Sequence, residues 1–194
     1  MLTGWGFLGP VFALFVVNSG QIAGATVVTV GIATALYWVI KSIIQVPIAN
    51  FLDKTDGEKD DFYALFLGLL VIGVSAFLYL AATKTWHIYA IHVIQAIGYS
   101  LYVPAWSGLF TRHLEKERSS LGWTLDNTIV GLSSGIAGLL GSIMVEYLGF
   151  QFIFIVVGLF SFAAAAVVMI APSMLIPRVT TKSDILLKDH SPRH

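Results

Sequence analysis

The chain of 194 residues contains no cysteine, which excludes disulfides, thiolate chemistry and cysteine-ligated metal sites. Charge is nearly as scarce. Charged residues make up 11% of the sequence, with 11 basic residues against 11 acidic ones, whereas an average soluble domain carries about 25%. A net charge of zero with no run of Lys or Arg leaves no electrostatic footprint for nucleic acid. The sequence also has no nucleophile motif, no HExxH-type metal pair, no phosphate-binding glycine loop and no intramembrane carboxylate pair. An enzyme is therefore not expected, nor is a cofactor or a metal.

What the chain does have is apolar length. Hydrophobic residues make up 57% of it and the mean hydropathy is +0.83, which excludes an ordinary water-soluble domain. Six stretches are long and apolar enough to cross a bilayer. Helix 1 is expected from about Leu2 to Ser19, helix 2 from Thr26 to Phe51 and helix 3 from Phe62 to Ala82. Helix 4 follows from His87 to Thr111, helix 5 from Leu121 to Leu148 and helix 6 from Phe150 to Leu175. Helix 1 has no basic region before it and another span close behind it, so it does not read as a signal peptide. Residues 1–176 thus form one transmembrane domain and 177–194 a polar tail.

Cytoplasmic loops carry an excess of Lys and Arg. Lys54 and Lys59 lie between helices 2 and 3, Arg112, Lys116 and Arg118 between helices 4 and 5, and Arg178, Lys182, Lys188 and Arg193 in the tail. All fall on one side, and Lys84 alone lies opposite. Both termini are therefore expected in the cytoplasm and the protein in the cell (plasma or inner) membrane.

The remaining basic residue, Lys41, sits inside helix 2, where an ionised group costs at least about 2.5–3.5 kcal/mol. It is 12 residues, or about 18 Å, from Asp53 at the cytoplasmic end. Tyr37, Lys41 and Gln45 share one helical face. That face reads either as the lining of a water-filled path or protomer interface, or as a structural lysine bonded to carbonyls or to a fixed carboxylate. On helix 4, His92, Gln95, Tyr99, Tyr102 and Trp106 are spaced 3, 4, 3 and 4 and form one seam. It reads as the wall of a substrate cavity, with His92 as a proton acceptor, or as an interhelical hydrogen-bond seam. Asn18 on helix 1 adds a further polar contact.

Helix 5 carries Asp126 and Asn127, then Gly131, Gly135, Gly138 and Gly141, whose small size suits close helix packing. Asp126 is either a carboxylate favoured by the positive end of its own helix or an ion partner of Lys41. Among groups suited to carrying coupled protons, His92, Asp126 and Asp53 stand out.

Between helices 2 and 3 the sequence reads PIANFLDKTDGEKDD from Pro47 to Asp61. It resembles the signature loop of the major facilitator superfamily, roughly GxLADRxGRK, with Asp53 on its acid, Lys54 on the following base, Gly57 near its second glycine and Lys59 on a later base. Ala49 replaces the first glycine, and Asp56 lies among the added acids. VPAWSGLF at Val103 to Phe110, followed by Glu117 and Arg118, resembles the family's helix 4 end and next loop, and LGFQFIF at Leu148 to Phe154 its helix 5 to 6 turn.

The resemblance implies an all-α integral membrane fold of six helices, arranged as two three-helix inverted repeats and forming half of a major facilitator fold. It also implies that helices 1 and 4 line the cavity, helices 2 and 5 meet the other half, and helices 3 and 6 face lipid. A second copy in a homodimer, or a different half-transporter, would complete a transporter for a small organic solute, with protons as a candidate coupling ion. In such a dimer Asp53 would dock on the start of the partner's helix 5, and Lys41 would pair with Asp126 across the seam. The competing expectations are a receptor, sensor or assembly subunit of the same fold, and the N-terminal half of a split or truncated transporter.

Overall fold

A computed structural model describes residues 11–54, 58–114 and 118–170. Within them the chain is helical: α1 (Phe12–Asn18), α2 (Val27–Lys54), α3 (Glu58–Leu78), a 3-10 turn (Tyr79–Ala81), α4 (Thr85–His113), α5 (Ser119–Leu148) and α6 (Phe150–Ile170). The last five spans are long and apolar enough to cross a membrane. They agree with the expected positions, with ends displaced by a few residues. Helix 3 starts earlier, at Glu58, because its acidic first turn continues the helix instead of lying in the loop. The start of helix 1, Asp56, Gly57 and the tail from 171 onward lie outside the described residues.

Local chemistry sets several of the ends. Thr29 Oγ1 accepts from the Thr26 backbone N–H at 3.1 Å, so a side chain in the first turn of α2 reaches back to its cap. His87 Nδ1 accepts from the N–H groups of Thr83 and Lys84 at 3.1 and 3.2 Å and plays the same role for α4. Only Gly149 separates α5 from α6. Its φ of +82° is the conformation that glycine adopts without steric cost.

The bundle has two packing clusters, one toward the end that holds the α1–α2 and α3–α4 connections, called the outer end, and one toward the opposite, inner end. The outer one gathers Phe12, Phe15, Tyr79, Ile88, Ile91, Ala137, Ile153 and Phe154. Tyr79 stacks on Phe154 at 4.8 Å and Phe15 meets Phe154 edge-on at 4.7 Å, separations suited to aromatic pairing. The inner cluster joins Tyr37, Leu52, Leu65, Leu69, Tyr99, Tyr102 and Leu109. Within the inner cluster α3 crosses α4 at two glycines. A Cβ on Gly68 would lie 2.8 Å from the Gly98 carbonyl oxygen and 2.8 Å from the Tyr102 nitrogen. This is the close backbone approach that small residues permit between membrane helices. On helix 5, by contrast, Gly131 and Gly135 face open space, while Gly138 and Gly141 are buried.

The outer loops are tied together across some sixty residues of sequence. Gln21 Nε2 donates to the carbonyls of Tyr79, Leu80 and Ala82 at 3.3, 3.3 and 2.9 Å, which occupies acceptors that a helix end leaves unsatisfied. The Ala23 N–H donates to the Thr83 carbonyl at 3.0 Å. Burial then separates the spans. Only 11% of the most apolar window of α2 and 17% of that of α5 are buried, against 50% for α3, 56% for α4 and 33% for α6. Helix 3 is thus wedged between α4 and α6, so only part of its surface is left for lipid.

Candidate functional site

The seam on α4 divides between two cavities, because different helices pack against its successive turns, and a third cavity opens beside it. The first cavity, of 330 Å³, is lined by Phe12, Thr34, Tyr37, Trp38, Lys41, His92, Tyr99 and Val103. It lies where α1 and α2 pass α4. The second, of 400 Å³, holds Tyr102, Trp106 and Asp126 among apolar side chains of α3, α5 and α6. The third, of 440 Å³, opens between the inner halves of α2 and α4 and holds Gln45, Asp53, Ser107, Thr111 and Arg112. Pro47 and Pro104 lie in these inner halves, and each removes a helical N–H donor that would otherwise hold the preceding turn.

In the first cavity the ammonium of Lys41 lies 4.8 Å from the Trp38 ring centroid and 5.8 Å from that of Tyr37, within the range of cation–π attraction. Lys41 sits halfway along α2, so about 20 Å of helix separates it from either end. Among the described residues no carboxylate forms an ion pair with it. Asp126 lines the second cavity instead. The two charges therefore do not meet within one chain.

His92 is buried, with Nδ1 3.0 Å from the Ile88 carbonyl oxygen and 3.1 Å from the Tyr79 hydroxyl. A carbonyl only accepts, so a proton on Nδ1 satisfies it and leaves Nε2 as the lone-pair nitrogen. The ring also packs against Phe12, 5.1 Å away. Gln95 is buried one turn further along, and its Oε1 has no donor among the described residues.

The other expected residues are spread over the surface. Asn18 is exposed at the end of α1, and Asn127 is exposed on α5. Asp53, Lys54, Lys59 and Arg118 are exposed on the inner side. The strongest charged contact there was missed by sequence reasoning. Asp61, buried at the start of α3, pairs with Arg112 in the last turn of α4. A signal existed, since the start of helix 3 and the end of helix 4 lie at the same membrane face. Trp38 and Thr34 were also missed as lining residues of the first cavity, because each lies off the Tyr37–Lys41–Gln45 spacing of α2.

A bundle of apolar helices that encloses polar side chains is compatible with many membrane proteins; the family decides among them. The family model of the Major Facilitator Superfamily matches residues 1–189. The chain belongs to that superfamily. No curated protein matches it. The superfamily is of transporter type, and this member is an integral membrane protein.

Proposed function

We propose that this superfamily member forms one six-helix wall of a secondary transporter, and that a second copy of the chain supplies the facing wall. The two units would work by alternating access on a small organic solute bound between them, with no covalent chemistry. Three-helix inverted repeats and cytoplasmic termini belong to this reading, the latter supported by the one-sided Lys and Arg.

The observation that carries it is the exposure of α2 and α5. The exposed side of α6 is almost wholly apolar, from Phe152 and Ile155 to Leu159, Phe160 and Val167. Those of α2 and α5 include Thr34, Ser42 and Asn127. Lipid offers such groups no hydrogen bonds, whereas a facing helix does.

The absence of cysteine makes the test direct. Ile43 on α2 and Ile129 on α5 are 66% and 63% exposed, and each lies about 15 Å from the inner end of its helix. Co-expressed Ile43→Cys and Ile129→Cys chains should cross-link to each other in the membrane, and the purified dimer should move solute in proteoliposomes. No cross-link at these or neighbouring exposed positions removes the second copy. Ligand binding without flux replaces transport by a receptor role.

A further inference from the structure

We propose that the cavity at Lys41 is the binding site for an aromatic organic acid, with the acid's anionic group on the Lys41 ammonium and its ring among Phe12, Tyr37, Trp38 and Tyr99. This deepens the transporter reading by naming the class of solute.

Charge is the first argument. Lys41 is held at mid-membrane depth, and no acidic group pairs with it among the described residues. Among the described residues its ammonium lies over two aromatic faces. Intramembrane charges are paired or line a functional path. A cationic solute would be repelled by this site, and a neutral one would leave the ammonium without a counter-charge. A single anionic group completes it.

Shape and surface come second. At 330 Å³ the cavity lies near the lower end of the range of about 300–1,000 Å³ for small-molecule sites. That suits one or two fused rings. Four aromatic side chains line it, and they favour the edge-on and offset contacts that aromatic ligands make. Tyr37 and Tyr99 are themselves edge-on, with ring centroids 6.0 Å apart, so this part of the wall is built before any ligand arrives. Thr34 and His92 lie in the same wall. The Thr34 hydroxyl is a donor for the acid's second oxygen.

The test is calorimetric titration of the protein in lipid nanodiscs, with heats from empty nanodiscs subtracted. The probes are 2-naphthoate and its neutral isostere, 2-naphthamide. Naphthoate should bind saturably and at least tenfold more tightly than the amide. Lys41→Gln should weaken naphthoate at least tenfold and leave the amide unchanged, which also shows that the variant is folded. Equal affinity for the two probes, no effect of Lys41→Gln, or no saturable binding of naphthoate overturns the proposal. Asp126→Asn addresses the rival counter-charge on the second copy. It should leave naphthoate affinity unchanged, and a tenfold gain would identify Asp126 as the group that occupies Lys41. Flux is read separately, in proteoliposomes. Binding without flux removes transport and keeps the site, whereas flux of another solute without naphthoate binding removes the site alone.

Discussion

Replacing Gly68 by alanine adds one methyl group at the point where α3 and α4 are closest. Its Cβ would stand 2.8 Å from two backbone atoms, Gly98 O and Tyr102 N, and 3.1 Å from Tyr102 Cα. Backbone cannot swing aside as a side-chain end does, so the two helices must separate by about half an ångström. A gap of about 0.5–1 Å forfeits a quarter to a half of each contact's attraction, at about 0.1–0.2 kcal/mol per atom pair. Summed over the neighbouring contacts of Val71, Ile72, Gly98 and Tyr102, the loss reaches about 1–3 kcal/mol, the usual cost of overpacking. In a chain of this size that lowers Tm by about 2–4 °C per kcal/mol. Gly131→Ala is the matched control, because nothing lies within 4 Å of its Cβ and alanine favours the helix by about 1 kcal/mol over glycine. Thermal unfolding in detergent, followed by circular dichroism, should show a lower Tm for Gly68→Ala and an unchanged or higher one for Gly131→Ala. Equal shifts in the two variants would refute the packing argument.

Two further outcomes concern contacts between distant parts of the chain. Arg112→Gln strands the carboxylate of Asp61, which is 1% exposed, and loss of one partner of a fully buried pair costs about 3–5 kcal/mol. The Arg112 side chain is 35% exposed, so the loss should fall below that range, and adding Asp61→Asn should recover part of it in the same melting assay. A double variant no more stable than Arg112→Gln alone would show that the pair is not coupled. Gln21→Ala frees three carbonyl acceptors at the end of α3 and should cost about 1 kcal/mol, the net worth of a typical hydrogen bond. Its signature is faster hydrogen exchange at Ala23, whose N–H is held by the same loop pairing; unchanged exchange there would count against the tie.

The spans and their order were legible in the sequence because length and hydropathy are properties of each segment alone. The placement of Lys41 inside helix 2 was legible for the same reason. What a helix touches is a different kind of information. The spacing of His92, Gln95, Tyr99, Tyr102 and Trp106 correctly gives a stripe on one helix, but a stripe does not say which neighbours it passes. His92 and Tyr99 meet α1 and α2, whereas Tyr102 and Trp106 meet α3, α5 and α6. The pairing of Asp61 with Arg112 across 51 residues, and of Gln21 with the end of α3, depends on how the helices pack. Glycine spacing drew attention to helix 5, whereas among the described residues a tight crossing also lies at Gly68 and Gly98, one on each of two helices. Closeness between helices requires a small residue on both sides at the same depth, which no single-helix pattern records.

The tie between the outer loops has a mechanical consequence. Gln21 and Ala23 fasten the segment between α1 and α2 to the segment between α3 and α4, so the outer ends of these helices behave as one plate. The cavity holding Lys41 lies beneath that plate, with walls from α1, α2 and α4. Pulling those helices apart at the top would break the clasp, so the width of the site on this side stays constant. In the proposed transport cycle, opening and closing would then be a tilt of the whole plate against the second copy.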